Sequence, residues 1–406
     1  MISEVLAVLT SILALGWLWQ AVAALRGVPT LPDLTQTDLA RGHSPQQSRT
    51  SYIPNIAAPD VTVIVPACNE EDSIQSTLRS LLASTGPRLQ IIAIDDRSTD
   101  KTAERMDAIA AEAATAGGPH SLEVIHNREL PQGWLGKVHA LALGAKRAKA
   151  PWLLFTDGDV SFDPRACALA LDRARSENAD HLVLVFTLQF ESAAEAAILA
   201  AFNAIAGWNV RLWKVADPKA RDFFGAGGFN LVRREVYEAV GGFAGLRMEV
   251  LEDLRLGWKI KRAGFAQRVV LGPGLVRIRW IKGAFGIVGL LEKNGFAVSQ
   301  YRVAICLLGL SGFAIHAFLP LAAIVSGGWA TVPGLLVYVF IYLVYYANRR
   351  VTQVSPWLAL AFAPASAVLI FAVTRSMILA LWRGGVVWRG TLYPLKDLRR
   401  NATRGW

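Results

Sequence analysis

Two short apolar runs in this chain each end in carboxylates, and this pattern constrains the fold more than any other feature. Residues 91–94 (IIAI) are followed by Asp95 and Asp96, and residues 152–156 (WLLFT) are followed by the triplet 157–159 (DGD). Short apolar runs that stop at turn residues are typical of buried parallel strands. Because ligands of open α/β sheets bind at the carboxyl ends of the strands, the sequence predicts a binding site at these carboxylates.

The spacing of Asp157 and Asp159 indicates what such a site would bind. Side chains at i and i+2 of an extended backbone point to the same side. Two hard oxygen ligands suit Mg²⁺ or Mn²⁺, which proteins usually hold with one or two carboxylates and the phosphates of a substrate. The pair therefore predicts a divalent cation that carries the diphosphate of a nucleotide sugar, although Asp-Gly is also a common turn sequence.

Long apolar segments indicate that this chain lies in a membrane. Its 406 residues suit about two domains, and apolar residues are concentrated at 5–25 and across 303–382. Segments of about 17–25 apolar residues are long enough to cross a bilayer. The first segment has neither a basic start nor a clear cleavage site, so we interpret it as an anchor and not as a signal peptide. The sequence predicts an integral membrane protein with a globular domain between its spans.

The net charge of +10 does not point to a nucleic-acid partner, because the basic residues are concentrated beside the apolar segments. An excess of Lys and Arg marks the cytoplasmic flanks of spans and favours contact with anionic lipid headgroups. The three cysteines are far apart and lack the spacing of a metal site, which suits a reduced compartment. These features predict a multi-pass protein of the inner (cytoplasmic) membrane whose globular domain faces the cytoplasm. The flanking basic residues are Arg26, Arg349, Arg350, Arg383, Arg389, Lys396, Arg399, Arg400 and Arg404.

Four apolar segments raise a problem of topology, because an even number of crossings puts both chain ends on one face. Arg26 places the globular domain in the cytoplasm, and the basic C-terminal tail favours the same compartment. Pro364 and Arg375 make the last segment the weakest span, so we expect it to be interfacial or re-entrant. The four segments lie near 5–25, 303–327, 331–347 and 357–382.

Composition divides the chain into six segments. Strand-like and helix-like stretches alternate in the middle of the chain, which predicts an α/β domain with a parallel sheet. After this domain, Lys282 and Lys293 share one face of an apolar helix, as in helices that lie among lipid headgroups. The predicted segments are an N-terminal anchor (1–26), a linker (27–58), the α/β domain (59–280), an amphipathic interfacial helix (281–300), membrane helices (301–382) and a basic cytoplasmic tail (383–406).

Several short motifs follow one another through the α/β domain. In chain order they are 63–71 (VIVPACNEE), 94–100 (IDDRSTD), 157–159 (DGD), 225–230 (GAGGFN), 233–234 (RR), 241–243 (GGF) and 252–253 (ED). In order and spacing, over roughly residues 60–300, the chain resembles the inverting family 2 glycosyltransferases of the GT-A fold. Within that family it most resembles the membrane-bound lipid glycosyltransferases, the hopanoid-associated and ceramide-glucosyltransferase-like groups. The resemblance implies a Rossmann-like α/β fold with a mixed, mostly parallel sheet and flanking helices, joined to N-terminal and C-terminal transmembrane helices.

The resemblance also implies an activity and a first group of site residues. The family's activity would here be transfer of a sugar from a UDP-sugar to the hydroxyl of a lipid, such as a hopanoid, a sphingolipid-like or a polyprenyl acceptor. Asp95 and Asp96, with Glu70 of the Asn-Glu turn, are implied to hold the nucleoside. Asp157 and Asp159 are implied to hold the metal and the diphosphate. The alternative for Asp96 is a helix N-cap, since Asp is preferred there.

A second group of implied residues lies in loops and at helix starts. Asp253 matches the family's catalytic base, which takes the proton of the acceptor hydroxyl, although an acid there also suits a helix dipole. Lys137 belongs to a Gly-Trp-Leu-Gly-Lys loop like that of the hopanoid-associated group and is implied to meet the donor phosphate; most lysines, however, are simply solvated. Arg279 is implied to grip the diphosphate, whereas Arg-Trp pairs also anchor proteins at membrane interfaces.

The chain departs from the family in one motif. Many membrane members carry Gln or Arg, two intervening residues and then Arg-Trp, but here the first position is Val276 and the nearest arginine is Arg277. This departure argues against a processive, polysaccharide-synthase role. That role stays as an alternative, together with a membrane nucleotidyltransferase, which would attack phosphorus and release pyrophosphate, and an inactive membrane scaffold.

Overall fold

The chain forms two compact units, which we name the helical unit and the sheet unit. Most of the linker predicted at 27–58 lies outside the described residues. The computed structural model describes residues 2–36, 58–283 and 285–402. Within these limits the helical unit comprises the chain up to Leu31, Leu188–Trp213 and Trp280–Ala402, and the sheet unit comprises Pro32–Thr187 and Lys214–Arg279.

Strands and helices alternate from residue 61 to residue 155, as the sequence predicts. The strands, in chain order, are β1 (Val61–Ala67), β2 (Leu89–Asp96), β3 (Ser121–Asn127), β4 (Trp152–Phe155), β5 (Val160–Phe162), β6 (His181–Val185), β7 (Thr187–Leu188), β8 (Asn230–Arg233), β9 (Gln267–Leu271), β10 (Val276–Ile278), β11 (Gly385–Trp388) and β12 (Thr391–Pro394). The helices, in chain order, are α1 (Ile2–Gly27), α2 (Ile74–Leu82), α3 (Thr102–Ala116), α4 (Gly136–Arg147), α5 (Ala166–Ser176), α6 (Ala193–Ala206), α7 (Arg234–Ala239), α8 (Glu252–Arg262), α9 (Gly286–Asn294), α10 (Val303–Ser326), α11 (Thr331–Thr352), α12 (Phe362–Trp382) and α13 (Leu395–Asn401).

Among the described residues, the sheet unit is built on a seven-stranded sheet in the order β3-β2-β1-β4-β8-β6-β9. Only β8 runs antiparallel to its neighbours β4 and β6, whereas the other pairs are parallel. Helices follow most of the parallel strands, as parallel pairing requires a crossover connection. The prediction of an α/β fold with a mixed, mostly parallel sheet and flanking helices is therefore confirmed.

Strand β1 continues through Pro66 to Ala67. Every residue of β1 is buried, as expected for a central strand of a parallel sheet. The pairing of β1 with β4 stops at Ile64 and Phe155, while its pairing with β2 continues to Ala67 and Asp95. A proline lacks the N–H group that a ladder needs, and at Pro66 only one neighbouring strand is left to pair with.

The helical unit contains four helices that are long and apolar enough to cross a membrane. The N-terminal one, α1, packs against α10 and α11: Ser3 Oγ donates a hydrogen bond to the carbonyl of Gly327, in the turn between those two helices, over 3.4 Å. In the middle of α1 the buried ring of Trp17 lies edge-on to Trp208 and Phe362, with centroids 5.3 and 5.7 Å apart. The predicted long apolar helices towards both ends of the chain are thus confirmed.

The last apolar segment begins beside the middle of α11. Helix α11 ends at Thr352, and a short 3₁₀ turn then leads into α12. Trp357 belongs to this turn, and its ring centroid lies 5.0 Å from that of Tyr342. Tyr342 is well inside α11, so the chain doubles back beside that helix. Arg375, which weakened this segment as a span, forms an ion pair with Glu292 of α9, and so does Arg383.

Two membrane-proximal segments differ from their sequence expectations. The predicted amphipathic helix at 281–300 contains only α9, because Gly283 has a φ of 77° and interrupts the helix at its start. Lys282 therefore lies outside the helix, while Lys293 stacks over the Trp388 ring at 4.0 Å. In the segment predicted as a basic tail, β11 and β12 form an antiparallel hairpin that is followed by α13.

Candidate active site

The carboxyl ends of β1, β2 and β4 meet at one edge of the main sheet, since these strands are parallel neighbours. Thr156, which follows β4, donates its N–H to the carbonyl of Ile64 in β1 over 3.2 Å. The triplet at 157–159 therefore begins directly beyond the sheet edge. This is the location that the two carboxylate-ended apolar runs predict.

Lys137 joins two of the acidic motifs. Its ammonium nitrogen lies 2.6 Å from Asp157 Oδ1 and 2.6 Å from Glu252 Oε1. Lys137 reaches this position because α4 packs tightly on the sheet: an added Cβ at Gly144 would come within 2.5 Å of the side chain of Ile64. The loop Gly-Trp-Leu-Gly-Lys thus brings a cation to the centre of the carboxylate cluster.

The charge of Lys137 is secured by its surroundings. Burial works to lower its pKa, but the carboxylates of Asp157, Glu252 and Asp253 raise it more, so that the pKa lies well above the usual lysine value. Lys137 therefore stays an ammonium at physiological pH. A fixed cation here suits the phosphate contact that the sequence predicts and also neutralises part of the acidic cluster.

Asp159 lies at the exposed side of the cluster. Its pKa is raised to about 7, first because the surrounding protein desolvates the carboxyl and then because the carboxylates of Asp157 and Glu70 repel its charge, while Lys137 lowers it. Because Asp159 is exposed, solvent screens part of this shift. A cation bound beside Asp159 would relieve the repulsion from Asp157 and Glu70.

These residues fit a divalent cation that is completed by a substrate. Within the described part of the chain, no group of three or more His, Cys, Asp or Glu side chains forms a ready metal cage. Mg²⁺ and Mn²⁺ do not need one, since proteins commonly bind them with one or two carboxylates and substrate phosphates. Asp157 and Asp159 flank the turn at Gly158 and are near enough for their charges to interact, so they supply such a pair.

Asp253 lies in the first turn of α8, beside the same cluster. Burial and the neighbouring Glu252 carboxylate raise its pKa to about 7, against the lowering effects of Lys137 and of a hydrogen bond from the Leu254 N–H to Asp253 Oδ1, 2.7 Å long. A carboxyl with a pKa near the working pH is suited to general-base catalysis. The position therefore has the property that the sequence resemblance requires.

Glu252 belongs to the 252–253 motif, but no role of its own was assigned to it from the sequence. Its side chain is buried, with only 3% of the residue exposed, and it forms an ion pair with Lys137. In the sequence it stands at a helix start, where any acid stabilises the dipole, so its type and position gave no separate signal. A buried ion pair is the observation that assigns it to the cluster.

The glycines of the loop 223–228 allow it to lie against the acidic cluster. A Cβ at Gly227 would come within 2.5 Å of Asp157 Oδ2 and 3.4 Å of Lys137 Nζ. A Cβ at Gly225 would overlap the backbone carbonyl of Asp253. Only glycine leaves room for such close backbone approach, so this loop forms one wall of the site.

Asp95 and Asp96 are both buried and hydrogen-bonded within the protein. Asp95 accepts the N–H of Ser98 over 3.1 Å and lies 3.1 Å from His126 Nδ1. Asp96 accepts hydrogen bonds from the guanidinium of Arg97, at 2.9 and 3.1 Å. Asp95 therefore shapes the turn after β2, whereas Asp96 lies beside α4.

Two side chains connect Asp96 to the rest of the site. Asn127, at the end of β3, donates to Asp96 Oδ1 over 2.7 Å. Gly136 begins α4 so close to Asp96 and Arg97 that an added Cβ would overlap both side chains. Asp96 therefore lies next to the loop that carries Lys137.

Glu70 belongs to a turn that is fixed to the loop after β2. Asn69, with a φ of 55°, accepts the N–H of Thr99 on Oδ1 over 2.8 Å. The N–H of Glu70 donates to Thr102 Oγ1 over 2.8 Å, and the Glu70 carboxylate accepts from Ser73 Oγ over 3.3 Å. The half-buried Glu70 carboxylate is held close enough to Asp159 to raise its pKa.

Arg279 follows β10, which pairs with β5 in antiparallel register. The last aligned pair is Ile278 with Val160, so Arg279 directly follows the end of this ladder. The structure thus brings Lys137, Asp157, Asp159, Glu70, Asp253 and Arg279 to one end of the sheet unit. Asp96 lies beside the loop that carries Lys137, whereas Asp95 accepts a hydrogen bond within the turn after β2.

Comparison with known proteins relates this chain to glycosyltransferases. Residues 62–255 match glycosyl transferase family 2. A 4,4'-diaponeurosporenoate glycosyltransferase of Staphylococcus aureus strain MRSA252 is 24% identical over 351 residues, 82% of this chain and 88% of that protein. The protein of the same name from strain USA300 is 25% identical over 198 residues, 48% of this chain and 50% of its own length.

Solved structures give a more distant likeness. A mannosyltransferase from Pyrobaculum calidifontis, in complex with GDP-Man and Mn²⁺, is 18% identical with a TM-score of 0.49, over 92% of this chain and 99% of that one. S. aureus TarS in complex with UDP-GlcNAc is 15% identical with a TM-score of 0.39, over 80% and 92%. On the family match and the curated relatives, the chain carries a glycosyl transferase family 2 domain and is a glycosyltransferase.

Proposed function

We propose that this glycosyltransferase transfers one sugar from a UDP-sugar to the hydroxyl group of a membrane lipid, with inversion at the anomeric carbon. The observation that carries the proposal is Asp253, a carboxyl with a pKa of about 7 beside the cluster of Lys137, Asp157 and Glu252. The four apolar helices and the name of the S. aureus relative support a lipid acceptor.

The chemistry is a single displacement. Asp253 takes the proton of the acceptor hydroxyl as its oxygen bonds to the anomeric carbon, and the bond from that carbon to the UDP oxygen breaks. One base and one in-line attack convert an α-linked donor into a β-linked product. Lys137 and Arg279 bind the diphosphate and counter the negative charge that grows on the departing UDP.

A divalent cation would share that task. Asp157 and Asp159 would hold Mg²⁺ or Mn²⁺, which when bound acts as a Lewis acid on phosphoryl oxygens. The uracil and ribose would lie beside Glu70 and Asp96, with Asp96 oriented by Arg97. This arrangement divides the site into a donor side on β1, β2 and β4 and an acceptor side on α8 and the loop 223–228.

The pH dependence of turnover follows from the pKa of Asp253. The base works only when ionised, and its ionised fraction falls as the pH drops through about 7. We expect kcat to level off above that pH and to fall about tenfold for each pH unit below it, as for a single essential base. Initial rates of UDP release between pH 5 and pH 9 at saturating donor measure this profile. A flat profile through pH 7 would contradict Asp253 as the base.

We also propose that the chain crosses the inner membrane three times, with the catalytic domain in the cytoplasm. The start of α1 lies beside the α10–α11 turn, so the end of α1, the start of α10 and the end of α11 share the opposite face. Arg399 of α13 donates to the carbonyl of Tyr301, just before α10, over 3.1 Å. The C-terminal region therefore belongs to the face that bears Arg26, and α12 re-enters beside α11 without crossing.

Cysteine labelling tests this topology. Trp329, 85% exposed in the α10–α11 turn, and Arg400 of α13 are replaced one at a time, in a chain whose native Cys68, Cys167 and Cys306 are all buried. With an impermeant maleimide, we expect Trp329→Cys to react in intact cells and Arg400→Cys to react only after permeabilisation. Labelling of Arg400→Cys in intact cells would establish four crossings instead.

The products of the reaction test the proposed function. The purified protein is incubated with a panel of UDP-sugars, Mn²⁺ and the total lipid extract of its host, and the products are identified by mass spectrometry. We expect free UDP and a lipid that carries one added sugar. Pyrophosphate in place of UDP would establish a nucleotidyltransferase, and a polysaccharide in place of the glycolipid would establish a processive synthase.

A further inference from the structure

Three buried polar side chains form a network behind the acceptor side of the sheet unit. They are His181, Asn230 and Gln267, the first residues of β6, β8 and β9, and each is at most 1% exposed. His181 Nε2 is hydrogen-bonded to Asn230 Oδ1, and Gln267 Nε2 lies 2.7 Å from His181 Nδ1. Burial lowers the pKa of His181 to about 4, so the ring is neutral: Nε2–H donates to Asn230, and Nδ1 accepts from Gln267.

The amide of Gln267 connects this network to two backbone segments of the site. Its Oε1 accepts the N–H of Phe224 over 2.9 Å, and its Nε2 donates to the carbonyl of Gly257 over 3.2 Å. Phe224 belongs to the loop 223–228, and Gly257 lies in α8 one turn after Asp253. One side chain therefore ties the loop to the helix that carries the proposed base.

The two segments that Gln267 joins are in direct backbone contact. A Cβ at Gly257 would overlap the carbonyl of Phe224, and a Cβ at Gly225 would overlap the carbonyl of Asp253. No side chain separates the loop from the first turn of α8. A shift of either segment therefore moves the backbone of Asp253, because close-packed interiors transmit displacement and do not absorb it.

We infer that Gln267, oriented by His181 and Asn230, is a positioning residue that sets the place of Asp253 relative to the donor. This inference rests on the proposed function, in which Asp253 is the base. Gln267 touches neither substrate in that scheme, and its contacts lie on the acceptor side. A substitution far from the reacting atoms that misplaces a catalytic group by about 1 Å costs as much as 10²-fold in rate. We therefore expect the loss of Gln267 to lower kcat and to leave the donor KM unchanged.

Gln267→Met tests the inference, because Met keeps the length of the side chain and removes its hydrogen bonds. The matched control is Gln90→Met, at another buried strand glutamine whose amide bonds to Thr62 Oγ1 and to the backbone of Arg147 and Lys149. His181→Gln is the milder second variant, since it keeps an amide beside Gln267. Steady-state kcat and donor KM, UDP affinity and thermal unfolding are measured for each protein.

We expect kcat to fall about 10- to 100-fold in Gln267→Met and less in His181→Gln, with UDP affinity and donor KM within about twofold of wild type. Gln90→Met should lose a similar degree of thermal stability but keep the wild-type kcat. Equal kcat values for Gln267→Met and Gln90→Met would overturn the inference. If Gln267→Met does not fold, His181→Gln decides, and a wild-type kcat in that variant would overturn the inference. A wild-type protein that releases no UDP would instead overturn the proposed function.

Discussion

Asp253→Asn is expected to bind UDP as tightly as the wild type and to lose nearly all transfer. The amide keeps the size of the side chain and cannot take a proton from the acceptor hydroxyl. General-base catalysis is worth about 10²- to 10⁴-fold in rate, and we expect kcat to fall by that amount. The measurement pairs UDP titration calorimetry with initial rates of glycolipid formation at saturating donor.

Asp107→Asn serves as the matched control for this substitution. Asp107 is an exposed aspartate of the same unit, 3.1 Å from His126, and its replacement should leave kcat at the wild-type value. A near wild-type rate in Asp253→Asn would show that the base is another residue. Loss of UDP affinity together with rate would instead assign Asp253 to donor binding.

Asp159→Ala is expected to abolish metal-dependent donor binding as well as transfer. The substitution leaves Asp157 as the only carboxylate of the pair, and Lys137 already holds Asp157 at 2.6 Å. Because a bound cation supplies several kcal/mol of charge stabilisation, we expect kcat/KM to fall on the order of 10³-fold. Binding of Mn²⁺ is measured in the presence of UDP and without turnover. Its readout is the loss of the electron paramagnetic resonance signal of free Mn²⁺.

Asp163→Ala is the control for the metal assignment. Asp163 follows β5 and pairs with Arg165 at 3.0 Å, so its loss removes a nearby carboxylate without touching the cluster. We expect wild-type Mn²⁺ binding in this variant. If Asp159→Ala retains Mn²⁺ binding and transfer, the cation is held elsewhere or is not required.

The sequence predicted the sheet and much of the site because both depend on short-range patterns. Alternation of apolar strands with helices indicates a parallel sheet, and parallel strands bring their carboxyl ends together. Asp157 and Asp159 could therefore be placed from their neighbours alone. The approach of Lys137 to Glu252, 115 positions later, is a tertiary contact that no local pattern encodes.

The residues to which the sequence assigned no role are buried polar groups with ordinary local explanations. Glu252 stands where helix dipoles favour an acid, and His181 and Gln267 stand at the starts of strands, where polar residues are common. Their role depends on hydrogen-bond and ion-pair partners that are distant in the sequence, and no local sequence pattern identifies these partners. The segment at 281–300 was predicted as one helix from its apolar pattern, and Gly283 limits the helix to α9.

The anomeric configuration of the glycolipid tests the central claim most directly. The claim is that one base, Asp253, drives a single displacement on an α-linked UDP-sugar at the carboxylate cluster. Proton NMR of the product formed from such a donor gives the coupling constant of its anomeric proton. We predict a β-linked sugar, whereas an α-linked sugar would show retention and contradict the account.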